Sequence, residues 1–378
     1  MTGSAQHAVA ASHVFDGETL HRAAAVVIDG EDVARVVRSA DLPRDFPVQR
    51  LPDGAWLAPG FIDVQVNGGG DVLFNDMPSP EGIIAIAAAH RRYGTTGLLP
   101  TLISDTADKM RAALAAVETV VDSEPSVLGI HLEGPFLSPE RRGVHSLAAL
   151  RAPTAEDRAM LTAPRKGATL VTLAPERVPP GFIAALVQSG VRVALGHSMA
   201  TYAETRAAMA EGLTGFTHLF NAMRPLASRE PGPIGAALES QAWFGMIVDG
   251  VHVDPAMLRL ALRGTAHPML VTDAMPPVGG NARTFMLYGE EIAVRDGRCS
   301  RQDGTLAGAF LDMASAVRNC VRLLAVPLPQ ALRFASLHPA MFLGLEGRLG
   351  RLAPGYRADM VAFEPGDIRV LATWVAGR

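Results

Sequence analysis

Glu133, His197, His218 and Asp273 are the residues of this chain best placed to do chemistry, because each stops an apolar run. They stand in GIHLEGPF, VALGHS, GFTHLFNAM and MLVTDAM, and two more runs end alike: FIDVQVNGGG at Gln65 and Asn67, and IVDGVHV at His252. One Glu and two His, with water in a fourth position, make a catalytic zinc arrangement. An Asp standing apart from them can act as general base, taking a proton from the attacking water and passing it to the leaving group. The set points to a hydrolase that uses metal-activated water. A lone His at a strand end is more often a hydrogen-bonded structural residue. Convergence of several such ends on one rim reverses that weighting for the set.

Neighbouring residues narrow the site. His131 stands two residues before Glu133 and faces the same side of its strand, deeper in, as a hydrogen-bonded interior residue rather than a ligand. Gln65 and Asn67 share that two-residue spacing. Amides are weak metal ligands, so the pair reads as the remnant of a second site, leaving one tight metal per chain. The only lysines are Lys109, in a helical stretch, and Lys166, before a strand at the opposite rim; neither can bridge two metals. Cys299 and Cys320 form no CxxC pattern and read as reduced thiols. After His218, NAMRPLASREPGPIGAAL offers Arg229 and a Pro/Gly turn running into a short helix, a combination suited to an anion such as phosphate. Gly68 to Gly70 lack the GxGxxG spacing of a nucleotide fingerprint.

The elements that must position these residues are eight β-like runs: FIDVQV, TGLLPT, VLGIHLE, TLVTLAP, RVALGH, GFTHLF, GMIVDG and PMLVTD. They are continuously apolar, as strands of a parallel sheet buried on both faces are. Helical stretches such as PEGIIAIAAAHRRYG, TAEDRAMLTA, GFIAALVQSG, YAETRAAMAEG and DPAMLRLALRG alternate with them. Eight βα repeats predict an α/β fold, a (β/α)₈ barrel whose catalytic groups sit on the C-terminal strand ends. TFMLYGEEIAVRDGRCS reads as an inserted hairpin, and AGAFLDMASAVRNCVRLLA as a closing helix. HAVAASHVF, AAVVIDG and DVARVVRS at one end, and ADMVAFEPGDIRVLATWVAG at the other, read as strands of one small β domain. The expected division is residues 1–56 and 348–378 for that domain and 57–347 for the barrel.

Composition sets the outer bounds. The chain has 378 residues, 48% hydrophobic and 19% charged, with a net charge of −4. That suits a globular protein and gives no footprint for nucleic acid or an anionic membrane. No apolar run reaches the roughly 18 residues of a membrane span. MTGSAQHAVAASH lacks the basic and apolar regions of a secretory signal, so a cytoplasmic protein is expected.

PGFIDVQVNG, HLEGPF, GHS, THLFNAM, REPG, DGVHV and VTDA, in this order and spacing, resemble the N-acetylglucosamine-6-phosphate deacetylase family of the amidohydrolase superfamily, from about residue 10 to the end. HLEGPF with THLFNAM is a specific combination; GHS alone is not. The resemblance implies that Glu133, His197 and His218 bind one divalent metal per subunit, zinc first, with Fe²⁺, Mn²⁺, Co²⁺ or Cd²⁺ as alternatives. It implies Asp273 as catalytic acid and base, His145 and His252 as sugar or amide contacts, and Asn221, Ala222 and Arg229 as phosphate contacts. Arg229 in such enzymes can reach in from a neighbouring subunit, and a homodimer or larger assembly is implied. The expected reaction converts N-acetylglucosamine 6-phosphate to glucosamine 6-phosphate and acetate. The competing readings are an amidohydrolase acting on another N-acyl sugar or a cyclic amide, and a catalytically inactive barrel serving as scaffold.

Overall fold

The structure, a computed structural model, describes residues 6–378. The eight predicted runs form one sheet of strands Phe61–Val66, Thr95–Ile103, Gly129–Glu133, Ala168–Leu173, Arg192–Leu195, Gly215–Phe216, Trp243–Met246 and His267–Leu270, lying side by side in chain order. From the second strand onward each neighbour pairs in parallel. Every residue of the first three is buried, which is why they read as unbroken apolar runs. The ring closes where the segment after the eighth strand meets the first. Val66 bridges Ala274 in parallel, the Asp273 N–H donates to the Gln65 carbonyl at 3.0 Å, and the Asn67 N–H donates to the Ala274 carbonyl at 3.0 Å.

Helix starts are written locally. Thr154 and Thr201 each accept the backbone N–H of the acid three residues on, and Asp157 and Glu204 reach back; these capping boxes open the helices Ala155–Thr162 and Tyr202–Ala210. Asp254 caps Pro255–Ala261, with Pro at its first turn.

The chain divides into two compact units, one of residues 64–89 and 98–311, the other of 1–63, 90–97 and 312–378. In the first lies an inserted antiparallel sheet of Thr284–Leu287, Glu290–Arg295, Arg298–Ser300 and Leu306–Ala309. Its inner face packs Leu287, Ile292, Cys299 and Ala307 with Leu73, Ile103, Val144 and Met275. The expected hairpin is therefore a four-stranded sheet, and the expected closing helix begins later. Residues 306–309 are the sheet's last strand, and the helix runs Met313–Leu324 from an Asp312 cap that accepts the Ser315 N–H. An alternating Leu-Ala-Gly-Ala run gave no local signal against helix; pairing with Arg298–Ser300 decides it.

In the second unit the two chain ends share a sheet, ordered Arg369–Trp374, Met360–Glu364, Trp56–Pro59, His7–Phe15, Leu20–Asp29, Asp32–Arg38. Val9, Val14, Val26, Ile28, Leu57, Met360 and Trp374 make its core. Cys299 and Cys320 are both buried and unpaired, and burial pushes each thiol up to about 12. Among the described residues no helix is long and apolar enough to cross a membrane.

Candidate active site

Glu133 is the last residue of the third strand, His197 follows the fifth by two residues, His218 follows the sixth by two and Asp273 the eighth by three. His197, His218 and Asp273 all adopt positive φ, of 49°, 31° and 52°. Side chains rarely take that left-handed region, and such residues persist where surrounding structure over-determines them, typically at functional sites. Gly196 admits no Cβ, since one would lie 2.6 Å from Thr172 Cγ2.

Three atoms converge. Glu133 Oε1 is 3.1 Å from His197 Nε2 and 3.0 Å from His218 Nε2, and the two imidazole nitrogens are 3.1 Å apart. His197 Nδ1 donates to the Arg141 carbonyl at 2.7 Å, so in the neutral ring its Nε2 carries a lone pair rather than a proton. Three mutual contacts among electron-rich atoms cannot all be hydrogen bonds; one cation at their centre satisfies all three. All three residues are buried, and the cluster fits a metal site. Burial alone would raise the Glu133 carboxyl, but the adjoining His197 and His218 imidazoles outweigh it and hold it well below the usual range.

Gln65 and Asn67 are part of this arrangement as donors. Gln65 Nε2 lies 3.2 Å from both Glu133 Oε2 and Asp273 Oδ1, and Asn67 Nδ2 is 2.6 Å from the same Asp273 oxygen. Asp273 Oδ1 is thus held by two amides, whereas among the described residues no protein group bonds Oδ2. Burial, then the Glu133 charge, raise the Asp273 carboxyl, against the lowering effect of His218, His252 and the Asn67 bond. His252 Nδ1 pairs with Asp249 Oδ2 at 2.6 Å, and Asp249 Oδ1 accepts the Val251 and His252 N–H groups. His131 sits deeper, bonded to Thr172 at 2.8 Å and Thr101 at 3.3 Å, and burial lowers it to about 4.

These residues surround a cavity of about 360 Å³ lined by Asn67, Glu133, His145, His197, His218, Asn221, Ala222, His252 and Asp273, with apolar walls at Ile247, Met275 and Leu306. The size suits a small ligand. Arg229 is not brought there; it is exposed, on the loop before the helix Gly232–Leu238, and makes no ion pair among the described residues. The cation on the wall is Arg141, which sequence reasoning passed over because it sits in a generic surface-like run. Asp249 was missed too, although DGVHV places it three residues before His252.

The Amidohydrolase family profile matches residues 56–378. The chain is 44% identical to an N-acetylgalactosamine-6-phosphate deacetylase of Shewanella sp. (strain ANA-3), over 90% of this chain and 86% of that one. It is 34% identical to an N-acetylglucosamine-6-phosphate deacetylase of Haemophilus influenzae, over 94% of both. The crystal structure of N-acetylglucosamine-6-phosphate deacetylase from Pasteurella multocida superposes with a TM-score of 0.94 at 34% identity, covering 98% of each chain. A match over most of the chain in sequence and in backbone leaves one conclusion: this protein belongs to the amidohydrolase family.

Proposed function

We propose that this chain is a cytoplasmic deacetylase that hydrolyses the acetamide of N-acetylglucosamine 6-phosphate, releasing glucosamine 6-phosphate and acetate. The observation that carries this reading is the convergence of Glu133 Oε1, His197 Nε2 and His218 Nε2 within 3.1 Å of one another beside a half-buried Asp273 at one cavity. Glu133, His197 and His218 would hold one divalent cation, zinc first, which supplies Lewis acidity toward the acetamide carbonyl and makes a bound water more acidic.

The rest of the work falls to the chain. Asp273 Oδ2, free of protein partners among the described residues, accepts the proton of the attacking water, while Gln65 and Asn67 fix the other oxygen and so the carboxyl plane. Protonated Asp273 then returns that proton to the nitrogen as the C–N bond breaks, since an amine leaves only once protonated. Gln65 and Asn67 offer two donors at the position of a second metal, which fits a one-metal site. His145 and His252 contact the sugar or its amide, His252 being oriented by Asp249. Asn221 and Ala222 lie at the phosphate end. Arg229, exposed and without an ion pair among the described residues, completes that end in the cavity of a second copy, which makes the working form a homodimer or larger.

The 44% identical relative favours a second reading, the galacto epimer as substrate. Acetate release from N-acetylglucosamine 6-phosphate, its unphosphorylated form and N-acetylgalactosamine 6-phosphate, each with zinc-loaded protein, tests both. Highest kcat/KM on the gluco 6-phosphate supports the first reading, preference for the galacto 6-phosphate transfers it to the epimer, and no release from any of them overturns it.

A further inference from the structure

We propose that Ser104 is a positioning residue that holds His145 as its Nε2–H tautomer, so that His145 faces the cavity as a hydrogen-bond donor. His145 is buried, and its Nδ1 meets two groups of the same residue: Ser104 Oγ at 2.8 Å and the Ser104 backbone N–H at 3.3 Å. A backbone N–H can only donate. Nδ1 must therefore present its lone pair, and the ring proton is left on Nε2; the Ser104 hydroxyl, whose other acceptor is the Glu133 carbonyl at the longer distance of 3.4 Å, gives its proton to Nδ1. No protein group among the described residues meets that Nε2, and the ring lies edge-on to His197 with centroids 4.4 Å apart, on the cavity wall.

Ser104 is itself fixed from several sides. It directly follows the second barrel strand, whose last residue, Ile103, exchanges two hydrogen bonds with the Asn75 side chain, at 2.9 and 3.1 Å. The Tyr288 hydroxyl, from the inserted sheet, donates to the Ser104 carbonyl at 2.5 Å. Arg301, from the same sheet, donates to the Val144 carbonyl beside His145 at 3.3 Å. Gly134, next to Glu133, leaves room for the hydroxyl, since a Cβ there would lie 2.2 Å from Ser104 Oγ. The inserted sheet thus orients a histidine that it does not itself contribute.

A donor at Nε2 suits an oxygen of the substrate, the acetamide carbonyl or a hydroxyl, and cannot accept a proton from water. The task of proton acceptor stays with Asp273. The donor's use in turnover rests on the deacetylase reading; the tautomer does not.

The test uses zinc-loaded, full-length protein with ¹⁵N-labelled histidine. The His145 signals are identified by their loss in His145→Gln, and the nitrogen shifts report which ring atom carries the proton. We expect a protonated Nε2 and an unprotonated Nδ1. Ser104→Ala should shift the ring toward the other tautomer and lower kcat/KM for acetate release about 3- to 10-fold at unchanged zinc content, the worth of one hydrogen bond. A wild-type ring protonated on Nδ1 overturns the proposal, and this spectrum needs no variant to fold. An unaltered tautomer in folded Ser104→Ala overturns it as well. If the wild-type protein shows the Nε2–H tautomer but releases no acetate, the deacetylase reading fails while the role of Ser104 stands.

Discussion

Replacing Asn67 with alanine removes the shortest hydrogen bond to Asp273, the 2.6 Å contact from Nδ2 to Oδ1, and leaves Gln65 as the remaining side-chain donor, at 3.2 Å. A hydrogen bond to a charged group contributes about 1.5–3 kcal/mol, or roughly 10- to 150-fold at tenfold per 1.4 kcal/mol. Part of that loss will be offset as Gln65 and water move in, so a fall of roughly 10- to 50-fold in kcat/KM is expected near neutral pH. The direction with pH is more discriminating than the size. The Asn67 bond favours the charged form and holds the Asp273 carboxyl down against burial and the Glu133 charge. Losing it raises the carboxyl further. With Asp273 as the proposed base, turnover needs the deprotonated form, so the acid limb of the pH profile of kcat/KM must move to higher pH, and the variant must lose most at low pH. Gln65 also touches Glu133, so metal content has to be measured alongside. An acid limb that stays in place, or moves to lower pH, at full metal content would refute the assignment of Asp273 as base held by Asn67.

Other expectations follow from the same geometry. Asp273→Asn keeps the shape and loses the proton acceptor; general bases contribute about 10²–10⁴-fold, so activity should fall by at least that range with the metal retained, and more than a tenth of wild-type activity would remove Asp273 from the mechanism. Elemental analysis should find one tightly held divalent metal per chain, zinc first, because Gln65 and Asn67 spend their amides on carboxylates; two tight metals would refute this. Arg229→Ala should cost about 10- to 100-fold in kcat/KM for the 6-phosphate and little for the unphosphorylated sugar. If Arg229 acts across an interface, mixing Arg229→Ala with Asp273→Asn chains should restore some activity in hybrids, and no recovery with subunit exchange confirmed would place it in its own chain's cavity.

The order and type of the barrel elements are legible in the sequence because they are local. Strands buried on both faces must be apolar throughout, so FIDVQV and TGLLPT announce themselves, and Thr154 and Thr201 with acids three residues on mark helix starts within four residues of chain. The polar residue at each strand's end is equally local, which is why Glu133, His197, His218 and Asp273 could be singled out from the chain alone. What each does to the others is not local. Asp273 Oδ1 meets Asn67 Nδ2 across 206 positions, a contact that exists only because the ring closes on its first strand. The two amides read as the remnant of a second metal site therefore donate to the carboxylates of Glu133 and Asp273. Left-handed backbone at His197, His218 and Asp273 is likewise not announced by the sequence, since positive φ is uncommon even for His and Asp, which tolerate it better than most side chains. Leu306–Ala309 pairs with the neighbouring strand Arg298–Ser300, and Ala309 also bridges Ala274 beside the site, so these pairings override its helix-compatible composition. Arg229 marks the opposite case: its motif is clear in the sequence, yet within one chain its side chain stays in solvent, because closing distances between loops takes tertiary contacts that a motif does not contain.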